Sequence, residues 1–296
     1  MAIANAIFNA IAGNLAGTLD GLPPPFGGGG GGGGPASWDI SGADLSLRDS
    51  TLSGINSYQS SLWGVGMKTD GTRVFFSGDS GSTIVSADLS TAWDLSTADL
   101  PGYSTTGALY SAGAGRDMWI SNDGTILLFA RSNGSIGRWV MSTPWDVTSI
   151  GGVNSFSTGF GTVNCSPAFN SDGTKLWILN QSTDVIHQYT CSSPYAPSTA
   201  VADSITFDLG TALGTTNIPS WFPNPNDTQF FVRYNDGTTK LCEFNFTEGD
   251  ISTAVQGAVT AISQSGFNGL WMDSSHIVTG IGGATDVIYL HDYLAA

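Results

Sequence analysis

The tetrapeptide Trp93-Asp94-Leu95-Ser96 decides the fold of this chain, because it recurs along the sequence. Trp38-Asp39-Ile40-Ser41 stands 55 residues before it, and Trp145-Asp146-Val147-Thr148 follows 52 residues after it. A degenerate fourth copy lies at Tyr195, and a fifth copy reads Gly249-Asp250-Ile251-Ser252. Self-similarity at such a period is typical of proteins built from repeated structural units. The sequence therefore predicts five units between Trp38 and the last residue.

A hairpin signal recurs with the same period. Its copies are Thr69-Asp70-Gly71-Thr72, Asn122-Asp123-Gly124-Thr125 and Ser171-Asp172-Gly173-Thr174, with weaker copies at Asn226-Asp227-Thr228 and Asp273-Ser274-Ser275. Asp-Gly between two apolar runs indicates a tight turn, because glycine tolerates the positive φ that such turns require.

An apolar run follows each turn and indicates a strand. The runs are Arg73–Phe76, Ile126–Phe129, Lys175–Leu179, Gln229–Val232 and His276–Val278. After a short polar turn, a further strand is predicted at Ile84–Ala87, Ile136–Val140, Val185–Tyr189, Lys240–Phe244 and Val287–Leu290. Each unit thus holds at least three antiparallel strands, plus a fourth after the Trp-Asp pair. Four-stranded sheets repeated around an axis are the blades of a β-propeller.

The two ends of the repeat region predict how the ring closes. The sequence stops at Ala296 just after the third strand of the fifth unit, whereas a spare fourth strand is predicted near Asp44 to Ser50. We therefore predict an all-β, five-bladed propeller over residues 38–296, in which the N-terminal strand completes the last blade. The alternative is an open or six-bladed arrangement with one unit too degenerate to recognise.

The residues before the repeats predict an anchor and a tether. An apolar residue recurs at every fourth position of residues 1–26, which indicates a one-sided helix; the stripe is Ile3, Ile7, Ile11, Leu15 and Leu19. The segment lacks the Lys or Arg of a signal peptide, and its Asn and Gly residues interrupt the apolar run well short of a membrane span. We expect this helix to dock on other proteins or copies of itself. Residues 27–37 begin with eight glycines and are interpreted as a flexible linker.

The composition agrees with short strands and many turns, since 40 of 296 residues are Gly and only 11% are charged. Nine Lys and Arg stand against 24 Asp and Glu, a formal net charge of −15. This balance lacks the basic surface that nucleic acid or anionic lipid requires, so we expect no nucleic-acid partner. Cys165, Cys191 and Cys242 fit neither a zinc motif nor a disulfide framework, and we expect buried free thiols.

Catalysis in a propeller would require side chains that converge on its centre. Asp117 and Asp273 stand alone, so the paired carboxylates of a glycoside hydrolase are not expected. Few acids occur in the predicted inner strands, which are Leu62–Lys68, Arg116–Ser121, Cys165–Asn170, Ser220–Asn224 and Gly269–Asp273. The turn residues Asp70, Asp123 and Asp172 are interpreted as structural. The three histidines, at positions 187, 276 and 291, are predicted on different blades with no shared spacing. We therefore predict no enzyme activity, no cofactor and no metal site.

Aromatic residues offer two further interpretations. Trp38, Trp93 and Trp145 could stack on sugar rings, but their repeated position favours packing between neighbouring blades. The segment 221–226 departs from the repeat and reads as a loop, so Trp221 and Phe222 are the first candidates for a ligand-binding patch.

The repeat sequences resemble those of a known class of proteins. Units that read S-D-G-T-K-L-W-I-L-N at 171–180, H-Q-Y-T at 187–190 and S-T-P-W-D-V-T at 142–148 are similar to propeller repeats of tailed bacteriophages and some surface-exposed bacterial proteins. The resemblance covers residues 38–296. It implies a virion component of the tail or a head appendage, which we predict to be non-enzymatic and present in several copies. Its helix would bind other virion proteins, and a host-surface glycan or protein is a candidate contact. A secreted or surface lectin-like module is the alternative, and a glycoside hydrolase is a third.

Overall fold

The computed structural model describes residues 37–41, 43, 45, 49–79, 82–107, 109, 114–262, 268–282 and 286–292. The predicted anchor helix, with Ile3, Ile7, Ile11, Leu15 and Leu19, lies outside the described residues, as does the glycine run of the linker.

The described residues form five antiparallel sheets of four strands each. Blade 1 holds β2 (Leu62–Met67), β3 (Arg73–Gly78), β4 (Ile84–Asp88) and β5 (Ser104–Thr105). Blade 2 holds β6 (Gly115–Ile120), β7 (Ile126–Arg131), β8 (Ser135–Met141) and β9 (Ile150–Ser157). Blade 3 holds β10 (Cys165–Phe169), β11 (Lys175–Asn180), β12 (Val185–Cys191) and β13 (Ala200–Asp208). Blade 4 holds β14 (Ser220–Pro223), β15 (Gln229–Asn235), β16 (Thr239–Thr247) and β17 (Asp250–Ala261). Blade 5 holds β18 (Asn268–Met272), β19 (His276–Ile281), β20 (Val287–Asp292) and β1 (Ser50–Leu52).

The few helical segments connect strands. Short 3₁₀ turns occupy Ile55–Ser57, Leu95–Thr97, Val147–Ser149 and Pro197–Thr199, and one α-helix, α1, spans Leu209–Leu213. The turns at 95 and 147 begin directly after the Trp-Asp pairs. Their aspartates cap them, because the carboxylate of Asp94 accepts the amide of Ser96 at 3.0 Å and that of Asp146 accepts the amide of Thr148 at 2.9 Å.

The ring is closed by strand pairing between its two ends, as the sequence predicted. Ser50 pairs with Leu290 and Leu52 with Ile288, and the amide of Asp49 donates to the carbonyl of Leu290 at 3.1 Å. The closing strand begins at Ser50, where the predicted strand ended. The alternative of an open or six-bladed ring is excluded by the five sheets and this seam. Because β1 is antiparallel to β20, closure covers an edge that would otherwise expose unpaired backbone groups.

Burial of apolar side chains stabilises the seam. Ile40, Leu45 and Leu52 are at most 5% exposed and belong to the same buried cluster as Ile288 and Leu290. Each fully buried aliphatic side chain contributes roughly 1.5–3 kcal/mol relative to an exposed one. Ile40 and Leu45, which precede β1, are therefore part of the propeller core.

The two repeated motifs contact each other within each of the first three blades. The aromatic residue of the Trp-Asp position lies over the glycine of the turn and donates its amide to the glycine carbonyl; the pairs are Trp93 with Gly71 at 2.9 Å, Trp145 with Gly124 at 2.9 Å and Tyr195 with Gly173 at 2.8 Å. The ring approaches so closely that a Cβ on any of these glycines would lie 2.3–2.5 Å from it. The turn glycine is thus required for the space that it leaves as well as for its positive φ.

The tryptophans also pack between blades, which confirms the sequence-based interpretation. In each case the ring contacts an aromatic residue of the preceding blade; the pairs are Trp145 with Phe75 at 6.0 Å, Trp93 with Trp271 at 6.0 Å and Trp38 with Phe231 at 5.8 Å between ring centroids. Trp38 precedes the closing strand and belongs to blade 5, so this contact pattern continues across the seam.

Candidate functional site

The centre of the ring is lined by the five inner strands, β2, β6, β10, β14 and β18. The cavity between them has a volume of about 20 Å³, which is room for about one water molecule. Its walls are mainly apolar and aromatic; they include Met67, Trp119, Ala168, Phe222 and Leu270. Pockets for small molecules are on the order of 300–1,000 Å³, so the centre of the described structure is filled with side chains.

Asp117 is the acid that lines this central cavity. Its side chain is buried, its Oδ1 accepts the amide of Met118 at 2.8 Å, and its Oδ2 accepts the hydroxyl of Ser166. Burial raises the pKa of Asp117 to about 7, and the two hydrogen bonds lower it in part. Asp273, the other acid singled out in the sequence, lies in the turn before β19 and accepts the amide of His276 at 2.7 Å. The two acids therefore do not face each other across the centre.

The predicted aromatic patch is buried. Trp221 and Phe222 belong to β14, which confirms the inner strand predicted at Ser220–Asn224 and corrects the interpretation of 221–226 as a loop; they are 3% and 9% exposed. The indole N–H of Trp221 donates to the carbonyl of Ser166 at 3.0 Å. Pro223 ends the strand. Both rings contribute to the wall of the central cavity, and their role in ligand binding stays a prediction.

The turn aspartates use their carboxylates locally. Each accepts hydrogen bonds from the threonine two residues later; the amide distances are 3.0 Å for Asp70, 3.0 Å for Asp123 and 2.8 Å for Asp172. This geometry accounts for the Asp-Gly-Thr repeat by turn chemistry alone. Within the described residues, no group of three His, Cys, Asp or Glu is placed to hold a metal ion.

The histidines and cysteines are placed as follows. His276 and His291 lie on the paired strands β19 and β20, so the prediction that all three histidines occupy different blades is wrong. His187 lies on β12, beside Phe160. The three cysteines are buried and free, as predicted, and burial raises the pKa of their thiols to about 12, 11 and 12 in sequence order.

In the part of the chain that the structure describes, no helix is long and apolar enough to span a bilayer.

A groove of about 400 Å³ lies between blades 1 and 2. Blade 1 contributes Lys68, Thr72, Arg73, Asp88 and Ser104, and the Trp-Asp loop of blade 2 contributes Thr143, Pro144, Trp145, Asp146 and Thr148. Two cations and two anions face it, so its lining carries no net charge. We call it the 1/2 groove.

The charged groups of the 1/2 groove hold one another in place. The Arg73 guanidinium donates from Nε to Asp88 at 2.5 Å and from Nη1 to the carbonyl of Trp145 at 2.9 Å. Lys68 Nζ lies 2.7 Å from the carboxylate of Asp70. Hydrogen bonds from the hydroxyl and amide of Thr148, together with the nearby Arg73 charge, keep the pKa of Asp146 below its ordinary value. The groove is therefore a preorganised set of hydrogen-bonding groups.

The sequence analysis did not predict that the residues of the 1/2 groove form a site. Lys68 and Arg73 flank the Asp70-Gly71 turn and are two of only nine cations in the chain, which is a signal that could have drawn attention to them. The partners that complete the groove come from the next blade, about 70 residues away in sequence, and no motif spacing links the two sets.

Comparison with known proteins gives a distant likeness of fold. No protein-family model and no curated protein matches the sequence. Among solved structures, the chain is similar to a "putative 6-phosphogluconolactonase" from Bacteroides fragilis NCTC 9343, with 11% identity and a TM-score of 0.45 over 68% of this chain and 58% of that one. A second structure with the same description, from Bacteroides uniformis ATCC 8492, has 11% identity and a TM-score of 0.44 over 73% of this chain and 62% of that one. The chain spans about three fifths of the length of either structure.

Proposed function

We propose that this β-propeller is a non-enzymatic structural protein of a tailed-bacteriophage virion. It would be present in several copies, attached to other virion proteins through residues 1–26, with the propeller displayed for contact with a host surface. The observation that carries the non-enzymatic part is the filled centre of the ring. Its cavity of about 20 Å³ holds no substrate-sized ligand.

The use of the repeated side chains supports the same proposal. The aspartates of the turns bond within those turns, and the tryptophans pack on glycines and on neighbouring blades. These residues build a rigid ring. A rigid scaffold whose loops vary freely suits display and recognition.

The charge of the chain is consistent with a protein-facing or glycan-facing role. A net charge of −15 disfavours contact with the phosphate backbone of packaged DNA. The repeat resemblance at 142–148 and 171–190 supplies the phage assignment, and the anchor and tether predicted for residues 1–37 suit an appendage.

Deletion of residues 1–26 tests the proposal. The truncated chain and the full chain are supplied in turn to assembling particles, and the amount incorporated is measured by quantitative mass spectrometry of purified particles. We expect the truncated chain to keep the tryptophan fluorescence and thermal unfolding transition of the full chain while incorporation is lost. Unchanged incorporation would refute the anchoring role, and a full chain missing from particles would refute the virion assignment.

A lectin-like binding module is the second candidate, and the 1/2 groove is the observation that favours it. The two candidates differ in the fate of the N-terminus. A secreted module would lose its first residues on maturation, whereas the anchor of a virion protein would be retained. N-terminal sequencing of the mature protein distinguishes them.

A further inference from the structure

We infer that the 1/2 groove is a binding site for an uncharged carbohydrate. This inference deepens the proposed function, because it rests on the role of the propeller in surface contact and names the ligand class and the site.

The groove lies where the outer strand of blade 1 is interrupted. Strand β5 has two residues and β1 has three, whereas β9, β13 and β17 have 8, 9 and 12. β5 pairs only with Val85 and Ser86. The outer pairing resumes on the other side of residues 100–103, where Ala98 bridges Leu89 and the amide of Asp99 donates to the carbonyl of Asp88 at 2.9 Å. In blade 3 the longer β13 supplies Asp203, whose Oδ2 lies 3.1 Å from Lys175 Nζ. Lys175 and Arg73 occupy the same position, the first residue of the second strand.

At two other junctions, the first residue of the second strand contacts the tryptophan of the next blade. Between blades 5 and 1, the ring of His276 stacks on Trp93 with 3.7 Å between centroids and 4° between planes. Between blades 4 and 5, Gln229 accepts the amide of Trp38 at 2.9 Å and donates to its carbonyl at 2.8 Å. Arg73 makes the corresponding contact with the carbonyl of Trp145, and its side chain is 24% exposed, like that of Lys175. At the junction between blades 1 and 2, the space beside this contact forms the 1/2 groove, and Asp88 borders it with 66% of its side chain exposed.

The chemistry of the lining selects a hydroxyl-rich, uncharged ligand. Asp88 and Asp146 can accept hydrogen bonds, and Lys68 and Arg73 can donate them, so donors and acceptors lie side by side. A sugar hydroxyl both donates and accepts. Two cations against two anions give no net preference for a charged ligand, and the −15 charge of the whole chain opposes an anion. Adjacent hydroxyls of one ring could bond to a carboxylate and to the neighbouring guanidinium at once.

The groups also retain hydrogen-bonding capacity. A carboxylate offers about four lone-pair sites, and Asp88 uses one of them for Arg73 among the described residues, with 66% of its side chain exposed. Lys68 is 31% exposed. Because Arg73 and Asp146 are already fixed by bonds to Trp145 and Thr148, a ligand would order few side chains on binding. A volume of about 400 Å³ lies within the range of small-molecule sites and suits one or two sugar rings.

A glycan array tests the inference with the full chain. The labelled protein is applied to immobilised neutral oligosaccharides (glucans, galactans, mannans and rhamnans) and, on the same array, to sialylated and sulfated ones. We expect binding to at least one neutral family, which is then titrated by isothermal calorimetry. The blocking variant is Thr143→Arg, which fills the groove from an exposed turn position. The matched control is Thr91→Arg, which places the same side chain at the equivalent position of blade 1, outside the groove.

The affinity of the variants and the class of glycan bound decide whether the groove is the site. A loss of affinity of tenfold or more in Thr143→Arg, with Thr91→Arg like the original protein and both variants unfolding at the original temperature, supports the site. Asp88→Ala removes an exposed hydrogen-bond acceptor and is expected to lower the affinity for the same ligand as well. The inference is overturned if the protein binds no neutral glycan, if it binds acidic glycans alone, or if Thr143→Arg leaves the affinity unchanged. Incorporation into particles is measured separately on Thr143→Arg and is expected to be normal, so failure of the sugar site and failure of the virion assignment are distinguishable.

Discussion

Replacement of Asp117 by Asn should change how the stability of the propeller depends on pH. The carboxyl is buried at the ring centre, where it accepts hydrogen bonds from Ser166 and from the amide of Met118. An asparagine of nearly the same shape can accept the Met118 amide through Oδ1 and donate its amide to the Ser166 hydroxyl. It therefore keeps the packing and removes the titration.

The magnitude follows from the pKa. In the unfolded chain an aspartate loses its proton near its ordinary value of 3.8, whereas burial raises the pKa of Asp117 in the folded state to about 7. Between these values the folded state binds more protons than the unfolded state, so the free energy of unfolding falls as pH rises and levels off above about 7. At about 1.4 kcal/mol per pKa unit, the full effect is roughly 4 kcal/mol. The part between pH 5 and pH 8 is roughly 2–3 kcal/mol.

Urea unfolding followed by tryptophan fluorescence measures this effect at pH 5, 6, 7 and 8, a range that avoids the isoelectric point near 4.1. The informative quantity is the stability of Asp117→Asn minus that of the original protein, since the other carboxyls contribute to both. We expect this difference to grow by roughly 2–3 kcal/mol from pH 5 to pH 8. Asp99→Asn, which removes a carboxylate from the exposed surface, controls for the change in net charge. A difference that stays constant with pH would refute the assignment of a buried, protonated Asp117.

Three further predictions follow from the ring and its core. Gly124→Ala should lower the free energy of unfolding by about 3 kcal/mol, because its Cβ would lie 2.4 Å from the ring of Trp145. Gly152→Ala has a similar positive φ but open space around it, and it should lower the free energy of unfolding by only about 1 kcal/mol. Equal losses in urea unfolding would contradict the contact between the Trp145 ring and Gly124. Removal of residues 1–36 should leave a cooperative thermal unfolding transition. Removal of residues 1–52 should abolish the transition, because this deletion takes away the closing strand and its buried side chains. A cooperative transition in both truncated chains would contradict the role of the closing strand in stability. Ellman's reagent at pH 8 should label the three cysteines only after unfolding, since their thiols are buried with raised pKa values, and rapid labelling of the native protein would contradict this.

Much of the fold could be predicted because it is encoded locally. The turn at Asp70-Gly71 and the capping by Asp94 need only neighbouring residues, and the period of the motifs gives the number of blades. The existence of the closing strand was also predictable, because the fifth unit lacks one strand and a spare strand is predicted near residue 50. The strand was predicted near Asp44 to Ser50 and lies at Ser50–Leu52, because strand boundaries depend on partners that the sequence does not display.

The candidate site was not predictable in the same way. Trp221 and Phe222 were interpreted as a loop patch because the segment 221–226 departs from the repeat, yet their rings are buried on the inner strand of blade 4. The open junction beside Arg73 depends on the length of β5 and on the approach of a loop from the next blade. Both are properties of the assembled ring.

By itself the sequence determined the repeat, its turns, the strand pattern and the closure of the ring, since period and turn chemistry act over a few residues. Only the tertiary structure decided that Asp117 is buried at the centre, that the central cavity is filled, and that Lys68, Arg73, Asp88 and Asp146 share one groove. The physical reason is that burial, pKa and groove shape arise from contacts between blades. Those contacts join residues about 50 or more positions apart, where no local pattern records them.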